Sequence, residues 1–109
     1  MNIIPVPQRR DDQYPLTKAG DALMLDGEIF DFVDLPNGAT LPREAINSPW
    51  FAGDVSRDEN GVLTVPLLLP HGANAPESTR FPQPMTDVPD GPVALPPYDA
   101  ATIEPEDIA

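Results

Sequence analysis

The sequence lacks cysteine altogether, and it has a single histidine, at position 71. The absence of cysteine excludes disulfide bonds, thiolate metal sites and a thiol nucleophile. His71 stands in Leu-Pro-His-Gly with no serine, cysteine or second metal ligand beside it, so we interpret it as a turn histidine with a structural hydrogen bond. We therefore predict no cofactor and no bound metal.

The sequence also has none of the short motifs that mark common active sites. It contains no Walker loop, no dinucleotide-binding fingerprint and no nucleophile elbow. Asp26, Asp31 and Asp34 lie close together, but a calcium loop of the EF-hand type needs a spaced glycine and a terminal glutamate that are missing here. We interpret these aspartates as turn and surface residues, and we predict that the protein is not an enzyme.

Basic side chains are scarce: Lys and Arg number 6 against 18 Asp and Glu, which gives a formal net charge of −12. Phosphate backbones and anionic membranes repel such a charge, so we expect no nucleic-acid partner and no membrane partner. No apolar run approaches the roughly 18 residues of a membrane span, and the N-terminus lacks a signal-peptide pattern. We expect a soluble protein, not exported by an ordinary signal peptide, whose partners have neutral or basic surfaces.

Proline is the residue type in excess: the chain has 16, where ordinary usage would give roughly five or six. Three lie in residues 1–20, four in 21–69 and nine in 70–109. Proline fixes φ, donates no backbone hydrogen bond and biases its predecessor toward extended backbone. We therefore predict an extended N-terminal arm over 1–20, a small β module over 21–70 and a proline-rich extended C-terminal arm with an acidic end over 71–109.

The densest apolar run of the chain, residues 62–69, follows the dipeptide Asn60-Gly61. Because glycine, and asparagine more readily than most residues, accept φ > 0, this dipeptide between two β-rich runs predicts a hairpin. Pro66 interrupts the second arm of that hairpin and cannot donate to a ladder. We therefore expect this strand to be bulged or to lie at an edge, where another chain can dock.

A second hairpin is predicted around Asp26-Gly27, which suits a two-residue type I′ turn. Such a turn places Leu23 opposite Phe30 and Leu25 opposite Glu28. One face of the hairpin then carries Leu23, Leu25, Phe30 and Phe32, and the other carries Met24, Ile29, Val33 and Asp31. Neither face is cleanly polar, which leaves open whether this chain or another one covers the second face.

Between the two hairpins, residues 40–47 predict one short helical turn, with Thr40 as its N-cap, Pro42 in its first turn and Pro49 as its stop. From His71 onward the sequence shows no helical or strand period. The predicted fold is mainly β: a small antiparallel sheet of two hairpins with one short helical turn, flanked by extended proline-rich arms.

Five apolar residues are the candidates for partner binding. Trp50 and Phe51 are also large enough to fill a small core. Phe81, Leu95 and Tyr98 are apolar side chains that an extended strap can insert into pockets of a partner. Pro89-Asp-Gly-Pro92 matches P-x-x-P without a flanking cation, and Leu95-Pro-Pro-Tyr98 narrowly misses the WW-domain ligand P-P-x-Y. We interpret both as parts of a linker or strap.

Three blocks carry a resemblance to a known group of proteins. They are Asp21-Ala-Leu-Met-Leu-Asp-Gly-Glu-Ile-Phe-Asp-Phe; Leu41-Pro-Arg-Glu-Ala-Ile with Trp50-Phe-Ala-Gly-Asp-Val; and Leu67-Leu-Leu-Pro-His-Gly-Ala-Asn-Ala-Pro-Glu-Ser-Thr-Arg-Phe-Pro. The resemblance covers roughly residues 14–98, and its hallmark is Leu67 to Pro76. The chain resembles small tail-module proteins of tailed bacteriophages and prophages, a resemblance that brings no catalytic residue with it.

The resemblance implies a structural virion protein: a tail, baseplate or fibre-attachment component that binds neighbouring subunits through strand edges and extended arms. Its expected partners are other phage tail or baseplate proteins, with self-association as a further option. Its expected location is the virion tail, and the host cytoplasm during assembly. Two alternatives stay open, namely a tail-assembly chaperone that is absent from the mature virion and an acidic inhibitor of a host protein.

Overall fold

A computed structural model describes residues 1–99 of the chain. Strand β7 (Leu63–His71) lies at the centre of this part. Within these residues the strands form two four-stranded sheets. The first has the order β1 (Asn2–Arg9), β7, β6 (Val55–Arg57) and β5 (Thr40–Leu41). The second has the order β4 (Glu28–Asp31), β3 (Ala22–Leu25), β2 (Leu16–Ala19) and β8 (Gly91–Pro92). The expected mainly β fold is confirmed.

Strand β7 alternates between a core face and an outer face, as period-2 geometry requires. Leu63, Val65, Leu67 and Leu69 are almost fully buried, whereas Thr64, Pro66 and Leu68 between them are partly exposed. Fully burying a leucine or valine stabilises the fold by about 1.5–3 kcal/mol, so this single strand supplies a large share of the core.

Strand β1 pairs with β7 in parallel, with Ile3 opposite Val65 and Arg9 opposite His71. The N–H and C=O of Ile3 exchange hydrogen bonds of 2.8 Å with Met85, on the side of β1 that faces away from β7. Peptide groups point to alternate sides along a strand, so the nitrogens of Pro5 and Pro7 face this outer side too. Both prolines therefore leave the β1–β7 pairing intact.

The same alternation of peptide groups along a strand explains how β7 accommodates Pro66. The N–H of Leu68 donates to the carbonyl of Trp50 at 2.7 Å, and the N–H of Ala52 donates to the carbonyl of Pro66 at 3.0 Å. Both bonds lie on the side of β7 opposite to β1, and the nitrogen of Pro66 points there as well. The expectation that Pro66 places its strand at an edge is wrong, because β7 has β1 on one side and β6 on the other.

The hairpin predicted at Asn60-Gly61 is confirmed: β6 and β7 are antiparallel, with Arg57 opposite Leu63. Its loop is longer than a two-residue turn. The carboxylate of Asp58 accepts hydrogen bonds of 2.9 Å from the N–H groups of Asn60 and Val62, and Gly61 has a φ of 86°. Glycine fits this left-handed position without strain.

The hairpin predicted at Asp26-Gly27 is confirmed in its register, with Leu23 opposite Phe30 and Leu25 opposite Glu28. Both turn residues have positive φ, at 52° and 82°, as a type I′ turn requires. A further hairpin that the sequence reasoning missed joins β2 to β3 through Gly20-Asp21. Gly-Asp between two short strands is itself a known hairpin signal.

The predicted helical turn exists but is smaller, a 3₁₀ helix over Arg43–Ala45. Thr40 is not its N-cap, since Thr40 pairs with Ser56 in the β5–β6 ladder. Instead the carboxylate of Asp54 accepts a hydrogen bond of 2.8 Å from the N–H of Arg43. The turn ends before Ile46, short of Pro49.

Regular structure also occurs after His71, where the sequence predicted none. Helix α1 covers Glu77–Arg80, β8 pairs with β2, and Met85 forms the bridge to Ile3. The division of the chain into arms and a module at residues 20 and 70 stays a prediction, and the expected acidic end, residues 100–109, lies outside the described residues. No helix among residues 1–99 is long and apolar enough to cross a membrane.

One hydrophobic core joins the two sheets. Its centre is Phe51, fully buried on the first sheet, whose ring meets Phe30 edge-on at 5.1 Å and Phe32 at 6.0 Å from the second. Residues before position 20 contribute Ile3, Tyr14 and Leu16 to this core, and Val88 comes from the C-terminal part. The packed unit therefore draws on the whole described chain.

Arg57 joins the sheets through polar contacts. Its guanidinium, in a side chain only 9% exposed, donates to the carbonyls of Leu35 (2.6 Å), Gly61 (2.9 Å) and Phe32 (2.8 Å). It also forms an ion pair of 3.2 Å with Asp21, in the turn between β2 and β3. A planar guanidinium with five donors suits such a site, because several carbonyls are satisfied by one side chain.

Candidate interaction surface

The outer face of the second sheet carries apolar side chains that the described residues leave uncovered. Cross-strand pairing places Ile29, Met24, Thr17 and Pro92 in one row across β4, β3, β2 and β8. Ile29 is 69% exposed and Met24 is 39% exposed. This is the second face of the hairpin predicted from Asp26-Gly27, and no segment of residues 1–99 covers it. We call it the outer face.

A shallow depression of about 230 Å³ lies in the outer face. Its lining is almost wholly apolar and consists of Thr17, Ala19, Ala22, Leu23, Met24 and Ile29. Two of the lining residues, Ala19 and Ala22, pair with each other next to the β2–β3 turn. Small side chains beside a long methionine and isoleucine leave a recess that an apolar side chain of a partner fits.

Strand β4 is a free edge of the second sheet. The N–H of Phe32 donates to the carbonyl of Asp21 at 3.0 Å, which fixes the phase of the β3–β4 ladder: residues 28, 30 and 32 bond to β3. The peptide groups of Ile29 and Asp31 consequently point away from the sheet, and within residues 1–99 no backbone hydrogen bond satisfies them. Unpaired N–H and C=O groups of this kind are a template for another strand.

The surroundings of β4 are acidic. Asp26, Glu28, Asp31 and Asp34 are exposed, and none of them forms an ion pair with a described residue. The six cations of the chain are engaged elsewhere. Their contacts are Arg9 with Asp11, Arg10 with Asp12, Lys18 with Asp90, Arg57 with Asp21, Arg43 with the carbonyl of Phe51, and Arg80 with the carbonyl of Ala75.

The opposite edge of this sheet, at β8, is held by an ion pair. The carboxylate of Asp90 accepts hydrogen bonds from Nζ of Lys18 (2.6 Å) and from the N–H of Gly20 (3.0 Å). The ammonium of Lys18 lowers the pKa of Asp90 below its ordinary value. Pro92 ends β8 and offers no N–H, so this edge is poorly suited to adding a strand.

The five residues proposed from the sequence for partner binding lie in different environments. Phe51 is fully buried, and Trp50 is 7% exposed, with its ring 4.5 Å from that of Tyr14 and under the guanidinium of Arg10. Both residues are part of the core in this structure. Phe81 follows α1 and is 67% exposed, so it alone of the five presents most of its side chain to solvent.

Leu95 and Tyr98 lie on a strap, residues 95–99, that crosses this chain's own surface. Leu95 packs against the core, and the hydroxyl of Tyr98 donates to the carbonyl of Arg10. The N–H of Gly72 donates to the carbonyl of Tyr98 at 2.8 Å, and the hydroxyl of Thr79 donates to the carbonyl of Pro97 at 2.6 Å. The described part of the predicted C-terminal arm is therefore bound intramolecularly.

The hallmark block Leu67 to Pro76 forms part of the surface on which the strap lies. A Cβ on Gly72 would overlap the carboxylate of Asp99, which also accepts a hydrogen bond of 3.1 Å from the N–H of Asn74. The interpretation of His71 as a turn residue is wrong, because His71 ends strand β7 and pairs with Arg9; its Nδ1 lies 3.0 Å from the carbonyl oxygen of Gly72. Among residues 1–99 there is no group of three or more side chains that could hold a metal ion.

Sequence reasoning identified the apolar character of Met24 and Ile29 but did not select them as site residues. The signal was present, because the two-residue turn at Asp26-Gly27 fixes which side chains share the second face. A comparison of the chain with protein-family models, with curated proteins and with solved structures finds no match.

Proposed function

We propose that this protein is a structural component of a tailed-phage virion, in the tail, the baseplate or the fibre attachment, where it binds neighbouring subunits. The observation that carries the proposal is the outer face with Ile29 69% exposed beside an unpaired strand edge. An exposed apolar patch next to a strand edge that has no partner strand is typical of an interaction site.

Two further features support a binding role. The Leu67 to Pro76 block, which resembles phage tail-module proteins, includes Gly72 and Asn74, whose N–H groups donate to Tyr98 and Asp99 of the strap. The net charge of −12 favours neutral or basic partner surfaces and disfavours binding to nucleic acid. The proposed partners are therefore other tail or baseplate proteins.

The test is quantitative mass spectrometry of purified particles of the phage that encodes this chain. A structural component is expected at a fixed copy number relative to the major tail protein, through repeated density-gradient purification. Absence from finished particles, with capture of tail proteins from an infected lysate, would instead establish a tail-assembly chaperone. Absence together with capture of a host protein would establish an inhibitor.

A further inference from the structure

The free edge of β4 has the chemistry of a strand acceptor. Ile29 and Asp31 direct their N–H and C=O groups outward, which offers an incoming chain up to four main-chain hydrogen bonds. We propose that β4 binds an extended segment of a partner protein in which apolar residues alternate with lysine or arginine. This proposal rests on the proposed binding function and specifies the partner's chemistry.

The apolar part of the specificity comes from the outer face. In an added strand, the residue opposite Ile29 points to the same face as Ile29, Met24 and the depression of about 230 Å³. Val33, 60% exposed just beyond β4, extends the apolar surface along the edge. An isoleucine or valine of the partner would bury these groups and be buried in turn.

The basic part of the specificity comes from charge. Glu28 projects from the face of β4 opposite to Ile29, to which the cationic residues of an alternating segment would point, and it is exposed without an ion-pair partner among residues 1–99. Asp31, exposed on the outer face, adds to the negative charge along the edge. Asp26 and Asp34 flank the strand at its two ends. Because opposite charges on neighbouring strands attract and like charges repel, a cationic segment is favoured. A second copy of β4 would bring a second set of acidic side chains to this edge, where like charges repel.

The probe is a synthetic ten-residue peptide of alternating valine and lysine, compared with a peptide of alternating valine and glutamate. We expect saturable binding of the lysine peptide to the full-length protein in fluorescence anisotropy, at least tenfold tighter than that of the glutamate peptide. In the wild-type protein, the amides of Ile29 and Asp31 are expected to become protected from hydrogen exchange when the lysine peptide binds.

The matched variants are Ile29→Pro and Ile29→Thr. Proline removes an outward N–H without changing net charge or the β3–β4 ladder, so we expect at least a tenfold loss of affinity, whereas threonine keeps the N–H and should lose less. Equal binding of the two peptides, or unchanged protection of Ile29 and Asp31 on binding, would overturn the proposal whether or not the proline variant folds. A dimer of the free protein with these two amides protected would overturn it too, by assigning the edge to a second copy.

Failure of this test is distinguishable from failure of the proposed function. The peptide experiment uses purified protein alone, and virion mass spectrometry does not depend on how the protein binds. Presence in particles with no peptide binding at β4 would retain the structural role and remove this mode of attachment.

Discussion

At the scale of single residues, Arg57 is the polar link on which the joining of the two sheets depends most. Replacing it with methionine keeps much of its length but leaves the carbonyls of Leu35, Phe32 and Gly61 without their donor. An unsatisfied buried acceptor costs about 1–3 kcal/mol. We expect Arg57→Met to lower the free energy of unfolding by about 3 kcal/mol or more, measured by urea denaturation.

The matched control is Arg9→Met. Arg9 pairs with Asp11 at 2.9 Å, but both side chains are largely exposed, so this ion pair contributes little in water. We expect a loss of stability much smaller than that of Arg57→Met. Equal losses in the two variants would contradict the role assigned to Arg57.

Tyr14 makes the stability depend on pH in the alkaline range. Burial raises the pKa of its hydroxyl, which donates to the carbonyl of Leu68 at 2.8 Å. Above about pH 10 the unfolded chain releases this proton while the folded chain retains it, so stability falls as pH rises, by up to about 1.4 kcal/mol per pH unit. Tyr14→Phe is expected to be about 1 kcal/mol less stable at pH 8.

The measurement is urea denaturation of both proteins between pH 8 and pH 11. The stability advantage of the wild type over Tyr14→Phe should shrink steadily above pH 10. An advantage that stays constant up to pH 11 would show that the hydroxyl titrates alike in the folded and unfolded states.

At the scale of elements, the placement of proline decides which strands can pair. Pro5 and Pro7 are two residues apart, so their nitrogens fall on one side of β1 and its other side is left for β7. The nitrogens of Pro66 and Pro70 likewise both fall on one side of β7, the side opposite to β1. A sequence rich in proline can therefore build an eight-residue parallel pairing, provided that the nitrogen of each proline points away from the partner strand.

Proline substitutions at two neighbouring positions of β1 test which backbone N–H groups point toward β7. The N–H of Gln8 points toward β7, whereas the N–H of Arg9 points away from β7, as that of Ile3 does. Gln8→Pro should therefore destabilise the protein by about 3 kcal/mol in urea denaturation, and Arg9→Pro by less than about 1 kcal/mol. A larger loss of stability for Arg9→Pro than for Gln8→Pro would show that the odd-numbered residues of β1, not the even-numbered ones, bond to β7.

The hairpins could be predicted from sequence because their signals are local. Asp26-Gly27 fixed the register of β3 and β4, and with it the identity of the outer face. The β1–β7 pairing could not be predicted in this way, because about sixty residues separate its strands and prolines in both discouraged a ladder. Arg57 gave no sequence signal either, since a buried guanidinium is recognised only when the carbonyls around it are known.

At the scale of the whole molecule, charge and apolar surface are distributed differently. The cations are engaged in contacts across the fold, whereas the carboxylates around β4 have no ion-pair partner among the described residues. The outer face and the β4 edge thus form a single acidic and apolar surface beside unsatisfied backbone groups. A protein with this surface is suited to receive a strand from a neutral or basic neighbour.

The central claim is that β1 belongs to the folded unit and that β4 is its free edge. Amide hydrogen exchange of the purified protein, alone and in dilute solution, tests both parts at once. We predict that the amides of Ile4, Val6 and Gln8 are protected to the same degree as those of Val65 and Leu67, while Ile29 and Asp31 exchange rapidly. Rapid exchange throughout residues 2–9, or protection of Ile29 and Asp31 in the absence of a partner, would contradict this account.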